Sequence, residues 1–69
     1  MNLKDYRFEL NLSMSALARK AGVSTATISR AEDGQSIQEL KAFRIARALS
    51  QLSGKNITVE KIEGLNVQA

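Results

Sequence analysis

The sequence predicts an all-α fold, a compact five-helix domain in which helices two and three form a helix-turn-helix. Two observations carry that expectation. The 69 residues include no proline and three aromatic side chains, a composition that favours helices over a sandwich or barrel. Residues 14–34, MSALARKAGVSTATISRAEDG, read as a short helix, a turn containing glycine and a second helix, the spacing of a helix-turn-helix.

The first helix is expected over 3–10, where Leu3, Tyr6 and Leu10 keep an i, i+3, i+7 rhythm. Asn2 can cap it, and Asn11 is a tolerable stop. Arg7 falls on the apolar stripe, four residues after Leu3, and a charge there needs a partner. Phe8 points off the stripe, either as a surface aromatic or as a contact with another chain. Ser13 is the N-cap expected for helix two, whose inner stripe is Met14, Leu17, Ala18 and Ala21. Gly22 ends that helix, because glycine enters the left-handed conformation without a steric penalty. Val23 plugs the turn and Ser24 caps helix three, expected over 25–32. Ile28 and Ala31 point inward from it, while Thr25, Ala26, Ser29 and Arg30 point out. Glu32 sits four residues after Ile28, beside the buried face. Periodicity places two charges, Arg7 and Glu32, near the core, and they are expected to pair as a clamp between helices one and three.

Asp33, Gly34 and Gln35 form a turn. Ser36 to Glu39 has the Ser-x-x-Glu form of a capping box, so helix four is expected from Ile37. Its core stripe is Ala42, Ile45, Ala46, Leu49 and Leu52, with Arg44 and Arg47 lateral or opposite. Thr58 is expected to cap a short fifth helix over 59–63, after which 65–69 forms a tail that frays or joins a dimer contact.

Charge and composition exclude several classes. Without cysteine or histidine there is no disulfide, no thiolate or imidazole metal ligand and no histidine base. The acids are scattered, no glycine loop or metal-ligand spacing appears, and an enzyme is not expected. No metal, cofactor or small-molecule site is expected, and no apolar run is long enough for a membrane. A cytoplasmic protein is the expectation. The net charge is +3, but residues 19–55 hold seven basic side chains against three acidic ones. Such a basic centre suits a polyanion, or it is an ordinary solvated surface.

The chain resembles the phage repressor and Cro family of DNA-binding domains, over about residues 3–63. LKDYRFELNLS resembles the family's opening, LARKAGVSTATISRAEDG its helix-turn-helix and FRIARAL its fourth helix. The specific part is the joint spacing of Leu17, Ala18, Gly22, Val23, Ile28 and Ala31. The resemblance implies a lambda-repressor-like fold, an interior Arg7–Glu32 ion pair and binding of double-stranded DNA. Residues 1–64 would then be the DNA-binding domain. Met14 departs from the pattern, since the family usually has there a glutamine that holds a DNA phosphate.

Helix three would enter the major groove. Thr25, Ala26, Ser29 and Arg30 are the candidates for base readout, Arg30 above all, because a guanidinium can bond guanine O6 and N7 together. Ser24, Thr27, Arg19, Lys20 and Gln35 are the candidates for the DNA backbone. A dimer on a two-fold operator is expected, with half-sites about 34 Å apart. Leu65 and Val67 are candidates for its contact, whereas Ile57 and Ile62 suit the core. The function expected is a sequence-specific transcriptional regulator of repressor type. The competing reading is a protein-interaction module, such as an antitoxin, that turns the same fold toward a partner protein.

Overall fold

A computed structural model of the chain describes residues 1–68. Four helices, α1 (Leu3–Glu9), α2 (Met14–Ala21), α3 (Thr25–Glu32) and α4 (Glu39–Ser53), enclose the core. Two strands of two residues each, β1 (Ile37–Gln38) and β2 (Val67–Gln68), add a small parallel pair.

Local chemistry sets the helix ends. The Asn2 side chain accepts from the Asp5 amide at 2.8 Å, and Asp5 returns the bond to the Asn2 amide at 3.0 Å, a reciprocal capping box. Asn11 follows α1 with φ of 57°, a conformation that asparagine tolerates better than most side chains. Ser13 Oγ accepts from the Ala16 amide and Ser24 Oγ from the Thr27 amide, each at 3.1 Å, so both helices of the motif begin on a serine cap. Gly22 joins them at φ of 74°.

The core runs through all four helices. Leu3, Leu17, Ile28, Ile45 and Leu49 are its largest fully buried side chains. α2 packs on both α3 and α4, and the small residues Ala18, Ala21, Ala42 and Ala46 are among the buried members of the core. Burying this apolar face is what holds helices of seven or eight residues, which would be marginal alone.

Four expectations need correction. Leu52, expected on the core stripe of helix four, is 37% exposed. The fifth helix is absent: Val59–Lys61 makes a single 3-10 turn, with no side-chain bond from Thr58. The buried anchors at its two ends, Ile57 and Ile62, pin the segment to the core, leaving too few residues between them to nucleate a helix. Helix four starts at Glu39, two residues late, and Gln38 caps it without a side-chain bond. The Ile37 amide instead donates to the Asn66 carbonyl at 2.9 Å, so the Ser36 capping box is lost to strand pairing. The tail does not fray over 65–68: Ile37 pairs with Val67 and Gln38 with Gln68. Residue 69 lies outside the described residues.

Ser50 and the N-terminus secure this closing segment. Ser50 Oγ accepts from the Ile57 amide at 2.9 Å and lies 2.8 Å from the Ile57 carbonyl. The Glu63 amide donates to the Met1 carbonyl at 3.1 Å, and the Met1 amine meets Glu63 Oε1 at 2.9 Å.

Candidate nucleic-acid interface

The outward face of α3 follows from which of its residues the core takes. Ile28 and Ala31 are buried, which turns the opposite stripe to solvent. Thr25, Ala26 and Arg30 are exposed, and Ser29 is half-buried. Their spacing, i, i+1, i+4 and i+5, puts them on one side of the helix. The four candidates for base readout therefore share a single surface.

Thr27 does not join them. It is 3% exposed, and its hydroxyl lies 2.9 Å from Ser24 Oγ. Four residues before Ala31, it belongs to the inward side, so its assignment to the DNA backbone is corrected to a structural one. Ser24 itself is exposed. Its oxygen already serves the Thr27 amide and hydroxyl, and that holds the first turn of α3 at a defined angle.

Exposed cations stand on α2 and α4. Arg19 and Lys20 are exposed on α2, and Lys20 shares a cleft with Gly22, Arg44 and Arg47. Periodicity makes Arg44 and Arg47 lateral or opposite on helix four, and the α2–α4 packing brings them beside Lys20. Gln35 is exposed just past the other end of α3, its amide bonded to the Arg30 carbonyl at 2.9 Å. Met14 is half-buried against the core. At the mouth of α2 the exposed polar atoms are instead the hydroxyls of Ser13 and Ser15, 3.3 Å apart.

The interior ion pair sharpens the charge balance of this face. Arg7 Nε donates to Glu32 Oε2 at 2.7 Å and Nη2 to Oε1 at 3.1 Å, while Nη1 reaches the Leu12 carbonyl at 3.0 Å. The two side chains are 9% and 6% exposed. Phe8 covers the guanidinium from outside, its ring centroid 4.9 Å from Arg7 Cζ and 5.5 Å from Lys4 Nζ, which gives that surface aromatic a role within the chain. Glu32 is thereby neutralised inside. Of the three acids between residues 19 and 55, Asp33 and Glu39 remain against seven cations, of which Lys55 lies 3.9 Å from Glu9 Oε1. Among the described residues, Arg19, Lys20 and Arg30 form no ion pair.

A protein-family model described as helix-turn-helix matches residues 3–54, a span that contains α1 to α4 and both serine caps. The chain belongs to the helix-turn-helix family of phage repressor and Cro-type proteins. Comparison with curated proteins and with solved structures returned no match. In this helix-turn-helix protein α2 and α3 are the motif itself, and membership makes the chain a DNA-binding transcription regulator. The match stops at Gly54, so the 3-10 turn and β2 lie beyond the part that defines the family.

Leu65 and Val67 are not a free apolar surface. Both are half-buried against the core of their own chain, and β2 holds Val67 beside Ile37.

Proposed function

We propose that this helix-turn-helix protein is a repressor that binds a two-fold operator as a homodimer, with α3 in the major groove, in the cytoplasm of a bacterial or phage-infected cell. One observation carries the reading: the outward stripe of exposed Thr25, Ala26 and Arg30 with half-buried Ser29 on a helix whose other side is locked into the core. Arg30 bonds a guanine, the Thr25 hydroxyl and methyl meet a neighbouring base, and Ala26 touches a thymine methyl. Ser24, Arg19, Lys20 and Gln35 meet phosphates on either side of the groove. No residue acts catalytically; repression comes from occupying the site.

Selection from randomised duplex DNA followed by sequencing tests this. Enrichment of a palindrome with half-sites about one helical turn apart supports it. Tight, salt-sensitive binding with no enriched motif would reduce the protein to a nonspecific DNA binder. Absence of binding at moderate salt would move the function to a protein partner.

A further inference from the structure

We propose that α4 carries the dimer contact, two copies packing this helix antiparallel across a two-fold axis at Phe43, with Glu39 of each facing Arg47 of the other. The proposal rests on the dimeric repressor reading and says which surface makes the dimer. It moves the centre of the contact from Leu65 and Val67, both half-buried against their own core, to α4.

Large apolar side chains stand unburied on α4. Leu40 is 59% and Phe43 57% exposed, although the helix buries Ala42, Ile45, Ala46, Ala48 and Leu49. Phe43 borders an open groove between α4 and the closing segment, where Ile57, Val59 and Val67 contribute apolar wall. An exposed aromatic beside a concave apolar surface is the composition of an interface centre rather than of a solvated helix face.

Charge decides the occupant. Glu39, Phe43 and Arg47 follow one another at i, i+4 and i+8, so they form a single stripe along α4. All three are exposed, and neither Glu39 nor Arg47 forms an ion pair among the described residues. At about 1.5 Å of rise per residue, their Cα atoms are roughly 12 Å apart along the helix, too far to pair within the chain. A two-fold axis through Phe43, perpendicular to the helix, carries each position four residues before it onto the position four residues after it in the second copy. Glu39 then meets Arg47 twice and the two Phe43 rings meet at the centre. The surface is self-complementary, which is what an isologous contact requires.

Area points the same way. A stable interface takes about 800 Å² from each partner, and the chain exposes 4265 Å² in all. Nearly a fifth of the surface must go to the contact, so it takes one whole side of the molecule. The α2–α3 side reads DNA. The α4 side, continuous with the groove walls of the closing segment, is the one with exposed apolar area to give.

Sedimentation velocity without DNA, over a wide range of protein concentration, tests the pairing. The wild type is expected to dimerise reversibly. Phe43→Asp is expected to remain a monomer with an unchanged helical spectrum and, at a concentration low enough that the wild type is monomeric too, an unchanged melting curve, since Phe43 supplies no core. Arg47→Glu and Glu39→Arg are each expected to weaken the dimer by on the order of tenfold or more, because like charges then oppose across the axis. The two reversals combined in one chain restore the pair and return the dimer to near wild-type strength. A wild type that stays monomeric, a dimer that survives Phe43→Asp, or a combined variant no better than the single ones overturns the proposal. DNA binding is read separately, on a half-site duplex. A wild type that dimerises as described but ignores DNA upholds the pairing and removes the repressor reading alone.

Discussion

Arg7 and Glu32 lie 25 positions apart, yet helical rhythm alone set each beside the apolar stripe of its own helix, and their chemistry supplied the reason to meet. With its carboxylate removed by Glu32→Ala, Arg7 would stay buried without a counter-charge, at a cost of about 3–5 kcal/mol. Urea unfolding is expected to show that loss, and the Arg7→Met, Glu32→Leu double variant to regain most of it by replacing the pair with apolar packing. The hydroxyl of Thr27 suits a phosphate, but its position on the helix turns it away from one. Four residues ahead of buried Ala31, it faces inward and bonds Ser24. Thr27→Val is therefore expected to lower unfolding stability by roughly 1 kcal/mol while the slope of DNA affinity against salt stays the same. A phosphate ligand would reduce that slope by about 0.9.

Elements α1 to α3 were legible because their signals are local. A serine or asparagine cap, an apolar stripe and a stop residue all lie within one short window, and each cap makes its bond in the structure. The start of α4 and the end of the chain were not legible, for the opposite reason. β1 and β2 are two residues each and 30 positions apart, too short to display a period and joined only by tertiary contact. A local Ser-x-x-Glu pattern lost to that contact at Ile37. The apolar spacing of Ile57, Val59 and Ile62 matched a helix and instead anchors an irregular segment. Truncation after Gly64 removes β2 and uncovers Ile37, which is 4% exposed. A loss of about 2 kcal/mol or more is expected on thermal unfolding, since most of an isoleucine's burial is worth roughly that much. A frayed tail would leave the melting curve unmoved.

At the scale of the whole molecule, the four helices divide the labour. α1 clamps the end of α3 through the ion pair, α2 backs α3 and is itself backed by α4, and the far side of α3 stays exposed, where the proposed function puts DNA. The domain measures 28 × 22 × 18 Å, so two copies side by side can set their α3 helices about 34 Å apart, one turn of duplex. How the closing segment folds back over α4 could not be read from local patterns, because its contacts are with residues far away in the chain. The exposed stripe on α3 could be read, since it is the complement of a buried stripe that the sequence displays. The central claim is that this stripe reads bases, with Arg30 on a guanine. Its most direct test is a two-by-two titration: wild type and Arg30→Ala, each on the selected operator and on the operator with that guanine pair changed to adenine–thymine. Wild type is expected to prefer guanine by about 1–3 kcal/mol and Arg30→Ala to bind both duplexes alike, with an unchanged melting curve. If Arg30→Ala still discriminates as strongly as wild type, Arg30 does not read the base and the groove assignment of α3 is contradicted.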